Sequence, residues 1–425
     1  MPQSIDVSAL QGLDRRRFLT ALTTSAAALR GASQTPARIT RIHVSILEGR
    51  FHKLVAMNAY DQAPKGGTYT HPLIRIETDA GIEGIGAGTY QMNLDNYVAD
   101  LKPLIGRNPL DLYEMAGGKV VRPSAWFAEL HDRAQYLDGP LFDLIGKLTN
   151  KPAWALLGDS ARDGIPCYDG TLYFADVMRP ERGVAAVVEE AEEAVKSGFK
   201  GLKLKLGRGS KWMDRASGDT RDIAVVHAVR KAVGAGVLIM VDANNGYQGQ
   251  FDALWRLLSE TRADQLYWIE EPFPESVDGY GRLKDKFAEA KMKTMIADGE
   301  NLRHPNDFEP YLTPRRLMDV LQLDTRSGGF LANREIARRG EAVGAAAIPH
   351  NWGSQIGHLM GLHLAKAVKA VPWAEDDRST CDVIVPTGYA LAKGIQMVSN
   401  EPGLGIRIDA KVYEKQCKPT ERAVS

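Results

Sequence analysis

The sequence predicts an α/β protein whose larger part is a parallel barrel of βα units, preceded by a smaller α+β region. Three observations carry that expectation. From about residue 161 onward, short apolar runs alternate with amphipathic helical stretches about eight times in series. Before them, "RITRIHVSIL" and "HPLIRIETDAGIEGIGAG" alternate in polarity and end in Gly-rich turns, which marks antiparallel strands. At 425 residues the chain is also too long for one ordinary core. A doubly wound sheet is the competing architecture, but it usually carries a Gly-rich phosphate turn after its first strand, and none is present.

Taken in order, the chain opens on "LDRRRFLTALTTSAAALRGAS" at 13–33. Arg15 and Arg16, followed by Arg17, Phe18 and Leu19, resemble a twin-arginine signal, with the small, weakly apolar segment up to Leu29 as its hydrophobic stretch. Residues 1–37 are therefore expected to be a leader that sends the protein to the periplasm; a merely basic leader would leave it cytoplasmic. Residues 38–160 form the expected α+β region, ending near "KPAWALLGDS". The barrel is expected over 161–376. Its first helix places Val184, Val187, Val188, Ala191, Ala194 and Val195 on one face, with Gly198 where a C-terminal cap belongs. The strands "GLKLKL", "VLIMVD", "LYWIEE", "KTMIADGE", "LMDVLQLD", "GAAAIPH" and "VPWAEDD" follow, separated by helical sequence such as "RDIAVVHAVRKAVG", "FDALWRLLSE" and "YGRLKDKFAEA". Residues 377–425 remain as a C-terminal segment.

Lys+Arg and Asp+Glu both number 53, so no chain-wide field draws nucleic acid or an anionic membrane. A small-molecule partner is the better expectation. Cys167, Cys381 and Cys417 are widely spaced and not grouped with histidines, which argues against a disulfide framework or a zinc site. No apolar run approaches the roughly 18 residues of a membrane span.

Polar residues stand at the C-terminal ends of successive strands: Lys203 and Lys205, Asp242, Glu270, Glu300, Asp324, His350 and Glu375. A barrel opens all those ends on one face, where active sites are built. A single acid after a strand is more often a helix N-cap than a ligand. Acids on three consecutive strands are different, because their repulsion in a walled site is costly unless a cation lies between them. Oxygen donors alone suit a hard divalent ion such as Mg²⁺. His227, His358 and His363 lie on helices and read as structural, whereas His350 ends an apolar strand beside the strand of Asp324, whose carboxylate would fix the imidazole tautomer and raise its basicity.

The ordered set "KLK", "VDANNGY", "WIEEPF", "ADGEN", "LQLD" with a nearby "GG", "IPH" and "EPGLGIRID" resembles the enolase superfamily in its mandelate racemase subgroup, over about residues 39–410. The resemblance implies a modified TIM barrel, (β/α)₇β, with an N-terminal α+β capping domain completed by the returning C-terminal segment. It further implies that Asp242, Glu270 and Glu300 bind Mg²⁺, that Asn244 and Glu271 support them or the substrate, that Lys205 is one acid/base and the His350–Asp324 dyad the other, and that Glu375 is a donor near the substrate carboxylate. Relatives being commonly multimers, a homo-oligomer is expected. The stretch "DTRSGG" is one residue shorter than the family's usual spacing, and the loop "GRGSKWMDRASGD" is long.

A Lys or His base acting with Mg²⁺ on the proton α to a carboxylate is the general pattern of enolase-superfamily sites, taken over here as such. Lys203 and Lys205 share a strand face. Each is expected to disfavour protonation of the other, leaving Lys205 a usable base with Lys203 as its electrostatic partner. The expected reaction is dehydration of a hydroxylated carboxylic acid, an acid sugar, to a 2-keto-3-deoxy acid. The alternatives are a racemase or epimerase of a 2-hydroxy acid and a non-catalytic carboxylate-binding protein. Specificity is expected from the cap loop "EGRFHKLVAMNAYDQAPKGGTYTH", where Arg50, His52, Lys53 and Lys65 are candidates to meet a second carboxylate.

Overall fold

The computed structural model describes residues 37–425 apart from Ala56 and Lys65. The expected leader therefore lies, but for Ala37, outside the described residues, as does Lys65.

The chain begins with a three-stranded meander: β1 (Ile39–Val55), β2 (Gly66–Thr78) and β3 (Glu83–Ala87). Ile42, Val44 and Leu47 on β1 and Leu73, Ile74 and Ile76 on β2 are buried. Against this sheet lies the helix Asp138–Thr149, and it comes so close that a Cβ on Gly86 would fall 2.3 Å from the Pro140 ring. A short hairpin, β4 (Tyr113–Ala116) and β5 (Lys119–Pro123), completes this region. The expected cap loop is shorter than the sequence suggested. Glu48, Gly49 and Arg50 pair with Thr70, Tyr69 and Thr68, and Val55 pairs with Gly66 across a bulge, so most of that segment is hairpin and, of the described residues, only 57–64 remain as its loop.

The barrel strands are β6 (Gly164–Leu172), β7 (Gly201–Lys205), β8 (Leu238–Asp242), β9 (Trp268–Glu270), β10 (Met295–Asp298), β11 (Val320–Asp324), β12 (Ala346–His350) and β13 (Ala374–Asp376). Neighbours pair in parallel from β6 to β12, and β13 pairs in parallel with β6. Each strand is joined to the next by a helical crossover, seven crossovers among eight strands, giving the (β/α)₇β order. Tyr168, Met240, Trp268, Ala297, Val320 and Ile348, one from each of six strands, fill the lumen as a separate apolar cluster. This layer floors the mouth in which the polar strand ends stand.

Beyond the barrel come β14 (Ile384–Pro386), β15 (Ala390–Ala392), β16 (Ile395–Met397), β17 (Ile406–Ile408) and β18 (Arg422–Val424). β16 adds antiparallel to β6, and β18 pairs antiparallel with β1, so the chain end returns to the first sheet. A buried carboxylate also ties the two regions together. Asp138 accepts from Tyr113 Oη at 2.7 Å, from His131 Nε2 at 2.8 Å, and from the backbone N–H groups of Phe330 and Leu331 at 2.8 Å, where a barrel helix begins.

Candidate active site

Strand register assembles the site. Lys205 stands opposite Asp242, and Asp242 opposite Glu270, so three charged side chains form one row across β7, β8 and β9. Asp324 stands opposite His350 across β11 and β12, and Glu375 opposite Tyr168 across β13 and β6. Gly170 leaves room for Glu375, since a Cβ there would lie 2.0 Å from Glu375 Oε1.

Lys203 is fully buried and its Nζ lies 2.9 Å from both Glu270 Oε1 and Glu375 Oε1 and 3.5 Å from Asp242 Oδ2. Lys205 is ion-paired to Asp242 Oδ2 and faces the Tyr173 ring. Burial acts to lower both ammonium groups and Lys203 lowers Lys205 further, yet the acids prevail: Lys203 is held well above its ordinary value by Glu270 and Glu375, and Lys205 is raised by Asp242. The expectation that mutual repulsion leaves Lys205 neutral is thus corrected. The carboxylate of Asp242, ion-paired to Lys205, outweighs the second ammonium.

The acids are individually well supported. Glu270 Oε2 accepts from Trp268 Nε1 at 2.9 Å and Gln322 Nε2 at 2.8 Å. Burial, followed by the charges of Asp242, Glu375 and Glu300, pushes Glu270 up to about 7 against the pull of Lys203. Glu271, in the left-handed region at φ 41°, accepts from Tyr60 Oη at 2.5 Å, Asn244 Nδ2 at 2.9 Å and Asn301 Nδ2 at 3.0 Å. Glu300 lies two residues beyond β10 and turns towards His350, its Oε2 3.2 Å from Nε2.

Among the described residues, no three His, Cys, Asp or Glu side chains converge on one point as they stand. Lys205 draws Asp242, Lys203 draws Glu270, and His350 draws Glu300. The donor set nevertheless fits a hard divalent cation. Its oxygens belong to three carboxylates of one mouth, and Glu300 Oε2 is buried with no partner beyond its ion pair to His350.

His350 is buried between two acids, with Nδ1 3.4 Å from Asp324 Oδ2. Burial lowers it, but Glu300 and the bond to Asp324 prevail and push it up to about 9. Asp324, which burial alone would raise, is held well below the carboxylate range by His350 and Arg326. Tyr90 donates to Asp324 Oδ2 at 3.1 Å, and Arg326 lies 3.9 Å over the Tyr90 ring. Asp324 also caps the short helix Thr325–Gly328 by accepting from Ser327 N at 2.7 Å, so the shortened "DTRSGG" stretch still leaves one carboxylate oxygen for the imidazole.

The structure brings together Lys203, Lys205, Asp242, Asn244, Glu270, Glu271, Glu300, Asp324, His350 and Glu375. It does not bring Arg50 and Lys53 to this cluster as free cations: Arg50 pairs with Asp382 at 2.7 Å and Lys53 with Glu190 at 2.6 Å. The long loop after β7 folds as a helical turn, Arg208–Lys211, and holds the cap loop through Lys211 on Tyr60 O and Trp212 Nε1 on Asn58 O at 2.7 Å. Sequence reasoning missed Trp268 and Gln322, although each lies two residues before a predicted site residue and so on the same strand face. It also missed Tyr60, Tyr90 and Arg326, whose positions carry no periodic signal.

The chain is similar to known proteins in sequence and fold. The chain is 28% identical to the D-xylonate dehydratase of Haloferax volcanii, over 82% of this chain and 85% of that protein. The crystal structure of galacturonate dehydratase from Geobacillus sp., complexed with D-galacturonate and 5-keto-4-deoxy-D-galacturonate, superposes with TM-score 0.79 at 28% identity, covering 92% of this chain and 100% of that one. A mandelate racemase/muconate lactonizing protein from Geobacillus sp. Y412MC10, complexed with magnesium and tartrate, superposes with TM-score 0.77 at 29% identity, covering 90% and 96%. Residues 186–412 match the family model described as enolase C-terminal domain-like. That span holds every acid, lysine and histidine of the mouth as well as more than half of the chain, and the protein belongs to this enolase family.

Proposed function

We propose that the protein removes the proton α to the carboxylate of an acid sugar and dehydrates it to a 2-keto-3-deoxy acid. The observation that carries this reading is the row Lys205–Asp242–Glu270 standing in the same mouth as the His350–Asp324 dyad. Asp242, Glu270 and Glu300 would hold Mg²⁺. When bound, Mg²⁺ supplies positive charge to the substrate carboxylate as it gains charge, and takes up the acid charge that otherwise keeps Lys205 protonated.

The chain's own residues divide the proton work. Lys205 and His350 project from β7 and β12, which are not neighbours in the barrel, so a substrate carbon between them is reached from two directions. One takes the α proton at its nitrogen. The electron pair left behind forms the C2–C3 double bond as the β-hydroxyl departs, and the acid partner protonates that hydroxyl so that it leaves as water. The enol then becomes the 2-keto acid by proton return at C3. Asp324 orients the imidazole, Lys203 holds Glu270 and Glu375 in place, and Glu375 faces the substrate carboxylate region.

The same two bases would serve a racemase, one removing the proton and the other returning it. Incubation with a panel of acid sugars in D₂O and Mg²⁺ separates the outcomes. Keto product supports dehydration, deuterium in inverted substrate without keto product supports racemisation, and neither from any acid overturns the reading. We also propose export by the twin-arginine route and assembly as a homo-oligomer. Recovery of an uncleaved chain only from the cytoplasm would overturn the first, and a monomer mass by light scattering the second.

A further inference from the structure

A cavity of about 810 Å³ lies beside the acid/base groups, between the end of β1, the segment after β6, the helix Val184–Lys196 and Arg378 beyond β13. Small-molecule sites are about 300–1,000 Å³. Tyr173 belongs to its wall, and the same ring lies 5.6 Å from Lys205 Nζ, so the cavity adjoins the proposed base.

The charged wall is closed on itself. Lys53 Nζ lies 2.6 Å from Glu190 Oε2, and Arg179 reaches Glu190 Oε1 at 3.2 Å and Glu189 Oε2 at 3.5 Å. Arg378 reaches Glu193 Oε2 at 2.8 Å and Asp169 Oδ2 at 3.4 Å. His52 adds no positive charge at neutral pH, since burial and then Arg378 push it down to about 4. A second carboxylate entering here would find every wall cation already matched and three glutamates as like-charge neighbours. A row of hydroxyls fits instead, because each both donates and accepts: it can accept from the Lys and Arg N–H groups and donate to the Glu oxygens.

We propose that this cavity receives the uncharged polyhydroxy tail of the substrate, so that the enzyme acts on monocarboxylic sugar acids (aldonates) in preference to dicarboxylic ones (aldarates). This narrows the functional reading above and rests on it. Glu190 is the decisive wall residue, since its carboxylate bridges Lys53 and Arg179.

The test compares matched pairs with identical stereochemistry, xylonate with xylarate, gluconate with glucarate and galactonate with galactarate, each with Mg²⁺ in D₂O, scored for keto product and deuterium incorporation. At least one aldonate is expected to exceed its matched aldarate at least tenfold in kcat/KM. Glu190→Gln releases Lys53 and leaves Arg179 to Glu189 alone, and is expected to raise aldarate kcat/KM at least fivefold while the aldonate changes less. Glu193→Gln, which leaves Arg378 only its longer contact to Asp169, is a second variant should the first fold poorly, and circular dichroism checks both. An aldarate equal to or better than its aldonate in the unaltered enzyme overturns this inference and leaves the functional reading standing. So does an unchanged aldarate rate in both variants. No exchange and no keto product from any of the six acids overturns both.

Discussion

The hydroxyl of Tyr60, carried by the cap loop, donates to Oε1 of Glu271, carried by the barrel, at 2.5 Å. Burial and the charges of Glu271 and Glu300 hold the phenol far above its ordinary pKa, so it stays a donor. A hydrogen bond to a charged group contributes about 1.5–3 kcal/mol. Tyr60→Phe is therefore expected to lower kcat/KM by about tenfold or more, with hydrogen exchange faster over residues 57–64. Unchanged exchange in that loop would show that the bond does not hold it down.

The two lysines of one strand are expected to fail in different ways. Lys205→Ala removes a proton-transfer group, for which losses of about 10²–10⁴ in rate are typical; it also takes one cation from Asp242, but Lys203 remains 3.5 Å from that carboxylate, so the fall in melting temperature is expected to be smaller than for Lys203→Ala. His350→Asn is expected to behave likewise. Lys203→Ala instead leaves Glu270 and Glu375 buried without their cation, and breaking a buried pair costs about 3–5 kcal/mol. Thermal unfolding beside steady-state rates separates the cases, and full turnover in both Lys205→Ala and His350→Asn would refute the acid/base assignment.

Metal removal has a readout independent of turnover. A ligand at a hundred times its dissociation constant stabilises the folded state by about 2.7 kcal/mol. Protein stripped with EDTA is expected to melt at a lower temperature than the same protein in excess Mg²⁺, and Glu300→Gln to lose most of that difference. Equal melting temperatures with and without Mg²⁺ in the unaltered protein would argue against the site.

The Asp138–His131 pair gives stability a pH dependence with two limbs. Burial would raise Asp138, but His131, the Leu331 N–H and the Tyr113 hydroxyl hold it below the carboxylate range. Its contribution is present above its unfolded value, about 3.9, and is lost as pH falls through the folded one. Burial would lower His131, but Asp138 holds it above its ordinary value, so its contribution is complete below about 6.5 and is lost as pH rises through the folded value. The pair therefore stabilises most between about pH 4 and 6.5. Melting temperatures recorded across pH should fall less on both sides in Asp138→Asn, which is itself expected to be less stable because buried donors lose a charged acceptor. Parallel curves for the two proteins would sink this account.

Strand ends were legible because a barrel repeats one local rule, an apolar run closed by a polar residue. That rule placed Lys203, Lys205, Asp242, Glu270, Asp324, His350 and Glu375 without any knowledge of contacts. Trp268 and Gln322 were legible by the same period of two and were overlooked, because an indole and an amide on a buried face look like packing until a carboxylate is placed between them. The cap loop was drawn too long, because the pairing of β1 with β2 joins residues whose own sequence is polar and Gly-rich.

The order of the elements, the residue types at the mouth and the kind of cation their oxygens suit follow from periodicity and donor chemistry along the chain. Tertiary structure alone decided which charge each group meets. Lys205 is ion-paired to Asp242, whose pull outweighs the repulsion from Lys203, and Lys53 and Arg179 are already paired with Glu190. Tyr60 and Tyr90 reach the barrel from another region of the chain. Electrostatic energy depends on distance through space, and neighbours in space from distant strands leave no trace in local sequence.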